Sequence, residues 1–199
     1  MKLTLIKLLF VNALGLLMLV ACTSTSQTID IAPPAFVKIN PATGNSAWWL
    51  RIEYTPTATT INNIPVKTIH NDWCAANVIS LEDYTKVISS EEAKQLTDSS
   101  VLFQVDGKFD AARNLKAVPG VYQKCDGEKG NFILVSEITT SGTENIFSVI
   151  ETNPKTPTFF GLLAIPETML GVALCLECDD LRLLEWDTSI NNFKWQAEF

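Results

Sequence analysis

The chain has 199 residues, with 15 Lys and Arg against 22 Asp and Glu, a formal net charge of −7, and 47% hydrophobic residues. That length holds a single domain comfortably. The acidic balance repels phosphate backbones, which argues against a nucleic-acid partner, and it argues equally against a polybasic grip on anionic lipid.

In chain order, Lys2 and Lys7 open the sequence, and Leu8–Val20 is apolar apart from Asn12 and Gly15. Such a run suits export, falls short of the ~20 residues that span a bilayer, and has no charged stop-transfer flank after it. It ends Leu19-Val20-Ala21-Cys22. The order of charge, apolar run and L-x-A-C resembles the bacterial lipoprotein lipobox, over about the first two dozen residues only. The alternatives are an ordinary signal peptide with a chance cysteine, or an uncleaved anchor. The resemblance implies removal of residues 1–21 as a signal peptide, a diacylglycerol on Cys22, and a membrane partner engaged through that lipid. Two or three acyl chains anchor durably, because each buried CH₂ adds about 0.8 kcal/mol. Thr23, not Asp, follows the cysteine; in a Gram-negative host this implies the outer membrane, facing the periplasm. Loss of Lys2 and Lys7 with the leader takes the formal charge from −7 to −9.

Residues 22–46 read as the lipidated start and a flexible tether, in which Pro33-Pro34, Pro41 and Gly44 interrupt regular structure. Within it, Ala35–Ile39 is available as an edge strand. Residues 47–199 read as one mainly-β domain. Ala47–Tyr54 and Ile64–His70 are expected strands, the first with Trp48 and Trp49 on opposite faces. Ser89-Ser90-Glu91-Glu92 is a capping box, with Ser89 as N-cap and Glu92 at N3, starting a short helix through about Leu96. Residues 108–117 are expected to add a helical turn or two, stopped by Pro119-Gly120.

From Val121 strand and turn alternate. The expected strands are Val121–Cys125, Phe132–Ile138, Asn145–Glu151, Thr158–Ile165, Leu170–Glu177, Leu181–Trp186 and Phe193–Ala197. Between them lie Asp126-Gly127, Ser141-Gly142, Asn153-Pro154, Pro166 and Asp179-Asp180. Spacing of this kind predicts an antiparallel meander that closes into a barrel or packs as a sandwich, with one or two short helices. Residues 159–165 and 170–177 are apolar on both faces, as in central strands covered on each side.

With Cys22 lipidated, Cys74, Cys125, Cys175 and Cys178 remain, an even count that favours disulfides in an oxidising compartment. Zinc is the lesser alternative, since only one CxxC is present. Redox chemistry at Cys175–Cys178 is disfavoured by Asp179 and Asp180, whose charge opposes a thiolate. We favour Cys74–Cys125 with Cys175–Cys178, crossed pairing being the alternative. The second bond requires the chain to turn, because cysteines three apart in an extended strand cannot meet.

The inventory for catalysis is thin. His70 is the single histidine, beside Asn71 and Asp72, and reads as a surface or loop residue. There is no G-x-S-x-G elbow and no histidine pair for catalytic zinc. Glu82-Asp83, Glu91-Glu92 and Asp179-Asp180 are sequence neighbours, not carboxylates facing each other across a cleft. Asp106-Gly107 and Asp126-Gly127 read as turns instead of calcium loops. Trp48, Trp49, Trp73, Trp186 and Trp195 read chiefly as core, with a ligand pocket or interface as the alternative. Phe193, Trp195, Ala197 and Phe199 alternate like the terminal strand of an outer-membrane barrel, but several strands lack the polar inward face a lumen needs.

The expectation is a lipid-anchored envelope protein with a non-catalytic binding or assembly role, needing no cofactor. Its partner beyond the membrane would be an envelope protein or a small hydrophobic ligand. The alternatives are a lipocalin-like carrier of such a ligand and, last, an enzyme.

Overall fold

A computed structural model of the chain describes residues 35–44, 46–110, 112–139, 144–152, 157–165, 168–178 and 181–196. All belong to one compact unit, Pro34–Phe199. The expected leader 1–21, Cys22, residues 23–34, and the turn residues Ser141-Gly142, Asn153-Pro154, Pro166 and Asp179-Asp180 lie outside the described residues, as do Ala197 and Phe199.

In chain order the elements are β1 (Val37–Ile39), β2 (Ile52–Tyr54), β3 (Thr60–Ile61), β4 (Ile64–Pro65), α1 (Val66–Ile69), β5 (Trp73–Val78), α2 (Leu81–Thr85), α3 (Ser90–Asp98), β6 (Val105–Gly107) and β7 (Leu115–Lys124). Then follow β8 (Lys129–Ile138), β9 (Glu144–Thr152), β10 (Gly161–Ala164), β11 (Met169–Ala173), β12 (Leu181–Asp187) and β13 (Asn192–Trp195). Every strand pair is antiparallel. The large sheet runs β5-β7-β8-β9, with β6 beside β5 on the same flank of β7; the second sheet runs β10-β11-β12-β13. The sheets stay open and stack face to face, so the expected mainly-β meander is a sandwich and not a closed barrel.

Alternation builds this core. Ile133 and Val135 of β8, with Leu115, Ala117 and Val121 of β7, meet Leu170, Val172, Leu184, Trp186 and Phe193 of the second sheet. The other face of the large sheet carries Trp73, Tyr122, Phe132 and Leu134, covered by Ile61 and Val66 from the β3–β4 hairpin and α1. So β7 and β8 are buried on both faces, as is β11 from Leu170 to Ala173 in the second sheet. Two cross-strand pairs explain how large rings fit there: Phe132 lies over Gly120, and Tyr122 over Gly130.

Pro119 sits inside β7, where it was expected to help stop a helix. Its carbonyl accepts from Ile79 N–H at 2.8 Å, so its donor-less nitrogen faces the same flank, in the gap between the β6 pairing at Ala117 and the β5 pairing at Gly120. No ladder bond is lost. The described residues of 108–117 are accordingly not helical. Asp110 Oδ1 accepts from the N–H groups of Ala112 at 3.1 Å and Arg113 at 2.8 Å, an Asx-type turn that feeds β7.

Thr158–Ile165 is strand only over Gly161–Ala164, and Leu170–Glu177 only to Ala173; two further expected strands are also shorter than their composition implies. Trp48–Arg51 is a 3₁₀ helix preceding β2, because the buried Trp48 ring packs edge-on to Phe159 at 5.5 Å. Ile64–His70 is strand only to Pro65 and then turns into α1. The β3–β4 turn is Asn62-Asn63, with φ of 50° and 65°, the double left-handed geometry of a type I′ hairpin. The Ser89–Glu92 capping box is present and starts α3. A second box, Ser80–Asp83, starts α2, and β5 was likewise not anticipated. The expected edge strand in 35–39 is β1, paired to β2.

Candidate functional site

Cys74 and Cys125 lie at disulfide distance, with Cα atoms 4.9 Å apart, joining β5 to the end of β7. Cys175 and Cys178 do likewise at 5.8 Å, across a bend beyond β11 in which Cys178 N–H points at Cys175 Sγ at 3.0 Å. The expected pairing and the required turn are both present. Of the tryptophans, Trp48, Trp73 and Trp186 are buried, whereas Trp195 is 39% exposed. Among the described residues no cluster of three His, Cys, Asp or Glu could hold a metal ion.

His70 lies in the loop between α1 and β5, as expected, and is half-buried there. Its ring stacks on Trp73 at 5.3 Å, and its Nε2 lies 3.5 Å from Glu151 Oε1. Trp73 stacks in turn on Tyr122 at 4.8 Å and an interplanar angle of 7°. Glu151 ties the stack together, accepting from Trp73 Nε1–H at 2.9 Å and from the Tyr122 hydroxyl at 3.4 Å. Burial first, and the Glu151 charge second, push the Tyr122 phenol up to about 12. The phenol therefore stays a donor at any physiological pH. This cluster brings one carboxylate to His70 and spends both carboxylate oxygens on ring donors.

A second feature opens between the two sheets. A cleft of about 240 Å³ is lined on one side by Glu151 and Thr152 at the end of β9 and by Phe160 just before β10. Val172, Arg182 and Trp195 of the second sheet, with Leu174 just beyond β11, line it on the other. Register explains why they converge. Val172 pairs with Arg182, and Leu184 with Trp195; directly opposed residues share a face, and Val172 and Leu184 are core residues. Arg182 and Trp195 thus stand on the core face at its open end.

Phe160 is held in place by buried hydrogen bonds. Asn131, fully buried in β8, accepts from Thr158 N–H at 3.1 Å and donates to Thr158 O at 3.4 Å. The Tyr84 hydroxyl accepts from Phe160 N–H at 3.4 Å and shares a 2.6 Å hydrogen bond with Tyr54. Burial raises both phenol pKa values, so the pair is neutral. Thr152, 5% exposed, has a buried Oγ1 with no hydrogen-bond partner.

None of Glu151, Thr152, Phe160 and Arg182 was singled out from the sequence. One signal was available: in LRLLEW the inward set is Arg182, Leu184 and Trp186, so a cation interrupts an apolar period. For Thr152 no sequence signal exists, because its isolation is a property of the packed state. No family model, curated protein or solved structure matches this chain.

Proposed function

We propose that the chain is a lipid-anchored, non-catalytic binding module of the bacterial cell envelope, held through Cys22 and binding a small ligand at the open end of its sandwich. The observation that carries the binding role is the cleft itself, which gathers Phe160, Val172, Leu174 and the part-exposed Trp195 with Thr152 and Arg182 at one end of the sandwich. Four apolar cleft residues beside a few polar ones match the usual make-up of ligand sites. The lipobox at Leu19–Cys22 supports the anchor.

Carriage of a hydrophobic ligand inside a lipocalin-like barrel is not the geometry available, since the sheets remain open. An enzymatic reading would rest on His70 and Glu151, whose contacts are those of a buttress for Trp73. Two experiments test the proposal. In fractionation, the wild type goes with membranes and Cys22→Ala leaves them; a variant that stays membrane-bound contradicts the anchor. In a thermal-shift screen of small acids, alcohols and amines, a saturable rise for at least one class supports binding, and a flat response to all three contradicts it.

A further inference from the structure

We propose that the Cys175–Cys178 pair is a thiol–disulfide exchange site, a stoichiometric acceptor of two electrons from a dithiol protein whose cysteines are flanked by basic residues. This activity is separate from the cleft and does not depend on the anchor.

The two cysteine pairs are built for different tasks. Cys74 and Cys125 join β5 to the end of β7 across a separation of 51 residues, so opening that link loosens two paired strands. Cys175 and Cys178 are 3 apart and close only the bend beyond β11. That bend is also held without its sulfurs. Leu174 and Leu176, on either side of Cys175, pack against the core. Gln95 of α3 donates to Glu177 Oε1 at 2.6 Å. Thiols formed there by reduction stay side by side in a folded chain, which reversible exchange requires.

The geometry also distinguishes the two sulfurs. Cys178 is the exposed residue of the pair and Cys175 is half-buried, so an incoming thiolate meets Cys178 Sγ. Cys175 is then the leaving group, and Cys178 N–H already points at its Sγ at 3.0 Å. A hydrogen bond to the charged form favours that form, and a thiol that carries charge more readily leaves faster. In the first step the partner's thiolate bonds to Cys178 Sγ, the Cys175–Cys178 bond breaks, and Cys175 leaves as a thiolate. The partner's second thiolate then attacks its own mixed-disulfide sulfur and expels Cys178. The partner's dithiol becomes a disulfide, and its two protons and two electrons end on Cys175 and Cys178 as thiols.

Charge selects the partner. Glu177 is exposed between the cysteines, and Asp179 and Asp180 follow them in the sequence. On sequence alone these acids weigh against a thiolate. The Cys178 N–H is a donor visible only in the fold, and it serves the leaving sulfur. The acids still repel an approaching anion, so the attacking thiolate is favoured when basic residues carry it in.

The test uses the purified, oxidised full chain and two probes, a Cys-Gly-Pro-Cys dithiol peptide flanked by lysines and the same peptide flanked by glutamates. Alkylation followed by peptide mass spectrometry reports which cysteines have opened. Cys175–Cys178 opens before Cys74–Cys125, and the lysine peptide acts roughly tenfold faster or more than the glutamate peptide, a gap that narrows at high salt. Glu177→Gln, which keeps an acceptor for Gln95, narrows it too. A lysine peptide with one cysteine leaves its adduct on Cys178, with Cys175 alkylated. Cys175→Ser/Cys178→Ser, which mimics the opened bend, keeps a cooperative thermal transition. Opening no faster than that of Cys74–Cys125 overturns the proposal, as does a double variant that loses its cooperative transition, since the pair would then be a structural staple. An adduct chiefly on Cys175 overturns the assigned order of the sulfurs. Equal rates with the two peptides overturn the basic partner while leaving the exchange site.

Discussion

The indole N–H of Trp73 donates to the Glu151 carboxylate at 2.9 Å, from a ring that is otherwise fully buried between Tyr122, Phe132 and His70. Removing the acceptor strands a buried donor. Glu151→Ala is expected to destabilise the domain by about 1–3 kcal/mol. Glu151→Gln, which keeps a carbonyl oxygen for the indole, costs less. His70→Ala also costs less than Glu151→Ala, because its half-buried ring makes only one 3.5 Å polar contact. Urea denaturation of the three variants checks the order.

The glycines opposite the large rings predict a sharper effect. A Cβ at Gly120 would overlap the Phe132 ring, which is buried on a face already filled by Trp73 and Leu134. Overpacking of this kind costs about 1–3 kcal/mol, so Gly120→Ala lowers the denaturation midpoint. Gly127→Ala offers a contrast. Its Cβ meets nothing within 4 Å, and the penalty comes from a φ of +95° alone. Pairing Gly120→Ala with Phe132→Leu should recover part of the loss, whereas Gly127→Ala gains nothing from the same change.

The two cysteine pairs should differ in weight. The Cys74–Cys125 link closes a sequence separation of 51 residues, and Cys175–Cys178 one of 3. On the chain-entropy account these correspond to about 4 and about 1.5 kcal/mol. Non-reducing peptide mapping should recover both pairs. The double variant Cys74→Ala/Cys125→Ala should lose much more thermal stability than Cys175→Ala/Cys178→Ala.

Acid should weaken the fold through identifiable carboxylates. Burial tends to raise the Glu144 pKa, but Lys116 and Ser136 outweigh it and hold the carboxyl below its ordinary 4.5. Ser89 lowers Glu92 in the same direction through its backbone N–H and hydroxyl. A carboxyl depressed in the folded state contributes stability above its unfolded pKa and loses it as pH falls through the folded value. The melting temperature should therefore stay level above about pH 5 and fall progressively below 4.5. Lys116→Met should cost about 1 kcal/mol at neutral pH and make the acid limb shallower.

Fold class and the C-terminal meander were legible in the sequence because period-2 alternation and turn residues act locally. β8, β9, β12 and β13 begin and end within a few residues of where Phe132, Asn145, Leu181 and Phe193 place them. The Ser89 box was legible for the same reason, and the identical chemistry at Ser80–Asp83 shows that α2 could have been read too. Failures came where tertiary context decides. Pro119-Gly120 reads as a terminator, yet it sits in a central strand because a gap between β5 and β6 absorbs the missing donor. Ala47–Tyr54 has strand composition, yet burying Trp48 against Phe159 bends its first half into a 3₁₀ turn. The cleft was illegible for a further reason: it joins residues from Glu151 to Trp195, and only their registers bring them together.

Intact mass spectrometry of the protein extracted from membranes reads the anchor itself. The expected species is a mature chain beginning at Cys22, carrying the mass of two or three acyl chains and lacking residues 1–21. A mature chain that begins elsewhere, or an unmodified Cys22, would contradict it.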